Sequence, residues 1–219
     1  MNAKLSPFTS PKSPNIIPLC VPRWDEREVL TLGASYSEEQ GFHVEADAYL
    51  DPFWNWLPLR WKHPERPALL PEMLPATTWE ENLRTKLPSD RWDALRRYAY
   101  SAAGYRCEIC GQKGHPTLEA HERWSWDDLW CVQKLEGIIA LCPPCHKVHH
   151  LGLARRLGMY DSVLTKMQEV NGWTAVQVQA AIKESATQAD ERSRFGWTVD
   201  LSWLETGPYH LVYRLGGSR

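Results

Sequence analysis

Apolar positions along this chain follow two periods, and a proline-rich stretch separates the regions where each holds. After Ser89 or Asp90, the spacing of Trp92, Leu95, Ala99 and Ala102 puts one apolar stripe on a helix that Gly104 ends. The Ser or Asp just ahead of the stripe supplies the N-cap. Residues 164–170 repeat the helical period and stop at Asn171-Gly172. Thr174 and Gln177 then form a capping box that opens a further helix towards Arg194. Strand character appears at residues 17–21, 42–44 and 198–204, with a short helix expected over 25–32 before Gly33. Pro64, Pro67, Pro71, Pro75 and Pro88 forbid a long helix or central strand, so residues 62–88 read as a linker across the surface.

These elements imply an α+β fold. Residues 1–15, rich in Ser, Pro and Asn, are expected to be a disordered arm. Residues 16–61 form a small αβ domain, 89–205 a second domain with C-terminal helices, and 206–219 a flexible Gly-rich tail. A length of 219 residues suits one medium domain or two small ones. The net charge of −2 is unlike that of a dedicated DNA-binding protein. Basic residues are nevertheless clustered. Arg91, Arg96, Arg97 and Arg106, then Lys147, Arg155 and Arg156, either flank a phosphate backbone or cover solvated helix faces. Of the twelve tryptophans, Trp92, Trp130 and Trp203 are expected in the core, while Trp124 and Trp126 alternate so as to line a groove. There is no repeat, phosphate loop or dinucleotide fingerprint. Residues 1–14 have no apolar h-region and no run of about 18 apolar residues occurs, so a cytoplasmic chain without a membrane span is expected.

The cysteines change the picture. Cys107 and Cys110 form one CxxC pair, Cys142 and Cys145 another, and two such pairs close one tetrahedral thiolate site for structural zinc. Two disulfides are the rival pairing, which a reducing compartment disfavours. Cys20 and Cys131 remain as small residues buried in apolar runs. The histidines exceed what that site needs. On a helix starting near Pro144, His146 and His150 share one face a turn apart. His121, between the cysteine pairs, would add a third nitrogen and leave an open position for water or phosphate. The bland alternative is packed or surface histidines beside the zinc. Glu122 is a general base, a ligand or a surface group; His149 is expected to face solvent and His115 to lie in a loop.

The motifs Leu118-Glu119-Ala120-His121-Glu122 and Leu141-Cys142-Pro143-Pro144-Cys145-His146 make segment 107–150 resemble the HNH nuclease family. That resemblance implies a ββα-metal core, a β-hairpin and a helix around a catalytic cation, stapled by the zinc. It puts His121 on the strand's metal-ligand position and completes the cation site with His146 and the residue a turn on, His150. Magnesium, manganese or nickel would occupy it. Glu122 stands where the family has its base His, and Gly137 where it has Asn. Shifting the alignment by one makes His121 the base and leaves Ala120 on the ligand position.

A second resemblance covers residues 16–61, through Leu19-Cys20-Val21-Pro22, Leu32-Gly33-Ala34-Ser35-Tyr36 and Leu50-Asp51-Pro52-Phe53-Trp54-Asn55-Trp56-Leu57-Pro58. It is to a small uncharacterised domain carried by plasmid primases and antirestriction proteins, and it implies phage or mobile-element company. Three functions follow as expectations: a metal-dependent DNA endonuclease, an inactive zinc module that binds nucleic acid, or a module that targets a host protein. No membrane and no small-molecule cofactor is expected.

Overall fold

The computed structural model describes residues 15–80, 82–113 and 117–206. The expected arm and tail lie outside these residues except at their inner ends, and His115 lies outside as well. The fold is mixed α+β, as the two periods imply.

A first unit holds strands β1 (Ile16–Pro18), β2 (Ser35–Ser37) and β3 (Gly41–Glu45), antiparallel in the order β1-β3-β2, with helix α1 (Glu26–Thr31). Alternate strand residues Ile17 and Val44 join Leu19, Val21 and Val29 in its core. Phe53, Trp56 and Leu57 close that core, and the Trp56 indole donates to Asp25 Oδ2 at 2.8 Å. Strand β2 was not legible in the sequence, because Ser35 and Tyr36 are exposed and have no apolar alternation.

Next come the short helices α2 (Leu59–Lys62) and α3 (Leu83–Lys86), then α4 (Ser89–Ala102). They lead to a long hairpin, β4 (Glu119–Asp127) and β5 (Val132–Leu141). Helices α5 (Pro143–His149), α6 (Leu151–Arg156), α7 (Tyr160–Asn171) and α8 (Ala175–Arg192) follow. Strand β6 (Thr198–Asp200) pairs parallel with β5, and α9 (Trp203–Thr206) ends the described chain. The expected strand over 198–204 is therefore cut short, because Asp200 Oδ1 accepts from Ser202 N–H at 2.8 Å and turns the chain into α9.

The apolar end of β5 organises the second unit. Leu135 and Ile138 face α4, packing with Leu95 and Ala99. Ile139 and Leu141 face the other way, against Val148, Val163 and Met167 of α5 and α7. Trp92 and Trp203 pack at the edge of the α4 core, as expected. Trp130 does not: it sits in the β4–β5 turn, 74% exposed. Cys131 beside it adopts φ 50° and is only partly buried, because residues 129–131 form the turn between β4 and β5. Trp124 packs into the α4 core, and Trp126 meets Trp197 edge-on at 5.0 Å beneath Arg192, so neither lines a groove beside His121.

Two glycines let the first unit lie against the first cysteine pair. Gly104 has φ +56°, and a Cβ there would come within 2.2 Å of Val21 O. A Cβ at Gly111 would meet Pro18 Cγ at 2.5 Å. Main-chain bonds complete the junction, Leu59 N–H to Glu108 O at 2.7 Å and Arg60 N–H to Ile109 O at 3.2 Å. Arg106 is buried at 6% exposure and donates to Gly111 O at 2.9 Å, so it braces this junction and is removed from any phosphate-facing cluster.

The proline-rich stretch is a strap. Leu69 and Leu83 are both fully buried, and Asn171 at the end of α7 clasps the strap's backbone. Its Oδ1 accepts from Ala68 N–H at 2.9 Å and Leu69 N–H at 3.0 Å, while Nδ2 donates to Leu69 O at 2.8 Å. Asn171→Ala is expected to cost about 2–3 kcal/mol, since three bonds are lost, two of them with the backbone of the buried Leu69. A lower denaturant midpoint, with new protease cleavage inside the strap, would register it; an unchanged midpoint would mean that Leu69 alone seats the strap.

Candidate metal centre

Two adjacent clusters flank β5 and α5. In the first, each CxxC pair is folded by its own backbone. Gly111 N–H bonds Cys107 O at 2.8 Å around one turn, and Cys142 N-caps α5, taking His146 N–H at 3.0 Å. Pro143 and Pro144 occupy the first helical positions, where a missing N–H costs nothing. All four cysteines are buried, and their sulfurs lie within 4.8 Å of one another. Cys110 Sγ and Cys142 Sγ are 3.8 Å apart. Zinc–sulfur bonds of about 2.3 Å in a tetrahedron require about 3.8 Å between sulfurs, so the set is placed to hold one zinc ion.

Hydrogen bonds within the set, from Cys107 first, hold the thiols of Cys110 and Cys142 below the ordinary range. The same bonds push Cys107 and Cys145 up. Lys166 of α7 stands near. Burial works against its charge, but Cys110 and Cys145 outweigh that and raise its pKa, so an ammonium offsets the anionic sulfurs.

The second cluster is imidazole-rich. Period-2 alternation puts Glu119, His121 and Arg123 on one face of β4, and α5 returns along that face directly after β5. Glu119 Oε2 lies 2.5 Å from His146 Nδ1, and His146 Nε2 lies 3.1 Å from His150 Nε2. His121 meets both rings edge-on, with centroids at 5.2 and 5.1 Å. Two imidazoles bonded to one ion at about 2.05 Å, with nitrogens 3.1 Å apart, subtend about 100°, a normal ligand angle. Glu119 fixes which His146 nitrogen carries the proton and so turns Nε2 inward. His121, His146 and His150 form a group able to hold a cation. His150 reaches it from just past the helix, at φ −99° and ψ 47°, so the one-turn spacing survives although α5 has ended.

Glu122 is not part of this cluster. It projects from the opposite face of β4, where Oε1 accepts Leu83 N–H at 3.0 Å and caps α3. Gly137, across the ladder from Arg123, lies beneath the Trp203 ring. His149, expected in solvent, is turned inward: it stacks on His121 at 4.4 Å, and neither ring nitrogen has a partner among the described residues. Glu72 was not foreseen at all. The strap carries it to 2.5 Å from His121 Nε2. Nothing periodic marks a carboxylate between Pro71 and Pro75, whereas Glu119 was findable from its spacing to His121.

Electrostatics favour neutral rings. Burial first, then His150 and His121, push His146 down to about 3. His150 falls to about 4 through desolvation and His121, and His149 falls well below its usual value for the same reasons. An unfolded histidine protonates near pH ~6.5, so below that pH the unfolded chain binds protons first. Stability is therefore complete above pH ~6.5 and is lost as pH falls through the interval down to about 4 for His150 and about 3 for His146. Thermal midpoints between pH 7 and 4.5 should slope downward with acid, and the slope should flatten in His146→Ala. An identical slope in that variant would locate the acid sensitivity elsewhere.

No protein-family model, curated protein or solved structure matches this chain. Among the described residues no helix is long and apolar enough to cross a membrane. Among the described residues, a thiolate group and an imidazole cluster, in which His121 is shared by two overlapping sets of donors, are the metal-binding chemistry that the fold presents.

Proposed function

We propose that the chain is a metal-dependent DNA endonuclease of HNH-like type from a phage, plasmid or other mobile element, with a structural zinc in the thiolate site and a working cation in the imidazole site. The observation that carries this reading is the convergence of His146 and His150 at 3.1 Å, with His121 above them and Glu119 behind His146. The hairpin β4–β5 followed at once by α5 supports the ββα-metal resemblance drawn from the motifs. A divalent cation bound there supplies polarisation of a phosphate oxygen and acidification of a water. His121, His146 and His150 hold its position, and Glu119 holds the His146 tautomer. Arg123, exposed two residues beyond His121 on the same face, offers a guanidinium to a phosphate.

A second reading has its own support. Glu122 is committed to Leu83, and Gly137 stands where an Asn would be expected. A zinc module that binds nucleic acid or a host protein without cleaving would show both features. Supercoiled plasmid separates the two. Conversion to open circle with magnesium, manganese or nickel, stopped by chelator, is the result expected of the endonuclease. Folded, zinc-loaded protein that nicks with none of these metals would transfer the conclusion to the second reading.

A further inference from the structure

We propose that Glu72, His121 and His149 form a second station for a divalent transition cation, next to the one built from His121, His146 and His150, and that His121 serves both. This rests on the imidazole cluster being a cation site and extends it to residues that the nuclease reading leaves unused.

Buried nitrogens gather here without partners. His149 Nδ1, His149 Nε2 and His121 Nδ1 are buried and have no hydrogen-bond partner among the described residues. Dry, unpaired polar atoms are costly, and an ion held by His121 Nε2, Glu72 and one His149 nitrogen would give the inward His149 ring the partner it lacks. The ring centroids are 4.4 Å apart with planes at 30°. Donor atoms of Glu72, His121 and His149 all lie within 4.8 Å of one another.

The carboxylate is built in. Glu72 sits three residues past Leu69, whose backbone Asn171 holds from both sides. Further along the strap, Ser193 Oγ accepts Ala76 N–H at 2.9 Å. Glu72 is thus pinned on both flanks above His121.

Donor chemistry decides the class of ion. Two imidazoles and one carboxylate suit zinc, manganese, iron(II), cobalt or nickel, while magnesium and calcium favour all-oxygen shells. The 2.5 Å between His121 Nε2 and Glu72 Oε2 accommodates a proton. An ion in the proton's place would part these atoms to about 2.9 Å at a right-angled geometry, a movement of a few tenths of an ångström. A neutral imidazole has one free lone pair, so His121 serves one ion at a time. The stations are alternatives, and the cluster holds one cation in total.

Cobalt(II) added to full-length, zinc-loaded protein tests this by calorimetry and visible absorption. Wild type should bind one cobalt. The His146→Ala/His150→Ala protein should still bind one, within about tenfold of the wild-type affinity, with a shifted absorption band. Adding Glu72→Ala to that protein should weaken binding by at least about 100-fold. If the His146→Ala/His150→Ala protein binds no cobalt while wild type does, the second station is overturned and the nuclease reading is untouched. Wild type binding none would overturn both. Cobalt binding as proposed, without plasmid nicking, would sustain the station and remove the nuclease. Should the double variant fail to fold, the single His150→Ala protein takes its place: it should bind one cobalt, adding Glu72→Ala should weaken that binding by at least about 100-fold, and binding indifferent to Glu72 overturns the proposal.

Discussion

Cys145→Ser is expected to release the zinc and unfold the second unit. Cys145 is fully buried in a core that also takes in Leu69, Ile109, Val148 and Met167. Four elements meet there: both cysteine turns, the strap and α7. A structural zinc contributes about 10–16 kcal/mol of apparent binding energy, and that energy is folding energy. Whole domains are stable by only about 5–15 kcal/mol, so the loss exceeds what remains. Serine restores the volume but not the ligand. Metal analysis should fall from one zinc per chain to none, with loss of cooperative thermal unfolding. The first unit should loosen too, because Leu59 and Arg60 bond directly to the backbone of the first cysteine turn. Chelation that strips the zinc and leaves the melting curve unmoved would contradict this account.

The next largest effect belongs to His146, and its counterpart is a near-silent change at Glu122. His146→Ala removes an inward nitrogen and strands Glu119, so under the proposed endonuclease reading nicking should drop at least about 100-fold with zinc content unchanged. Glu122→Gln should keep cleavage within a few-fold. The glutamine oxygen can still accept Leu83 N–H, and the side chain points away from the imidazoles. A general base behaves in the opposite way, its removal costing about 10²–10⁴ in rate with metal binding intact. Were Glu122→Gln to abolish nicking that excess metal cannot restore, Glu122 would be the base after all, and the strand would have to present its other face in the active protein.

How far the site was legible depended on whether local rules govern each residue. The four cysteines were plain because metal geometry constrains spacing within each pair. His146 and His150 followed from helical periodicity, and the capping box at Thr174 formed as its residues imply. Glu122 was misplaced because motif alignment ignores strand parity, and parity sends Glu119 and His121 to one face and Glu122 to the other. His149 was misplaced because a helical face is solvent-facing only if nothing packs there, and β4 does. Glu72 was invisible for a different reason. Its role is set by Asn171, about a hundred positions later, and no local pattern encodes such a distant contact. Trp130 and Cys131 failed for the reverse reason, since an apolar composition suggested buried positions where the hairpin has to turn.

The Asn171 clasp also has a consequence for the order of assembly. A chain emerging from synthesis makes the strap early and its clasp 102 positions after Leu69. A nascent chain that has passed His150 already has all four cysteines and all the histidines of the cluster. It lacks the α7 surface that seats Glu72 and the Lys166 that offsets the thiolates. Zinc capture can therefore precede completion of the imidazole centre. The strap, made long before, can dock fully only once α7 and the Ser193 end of α8 exist, so the cluster stays unfinished until then.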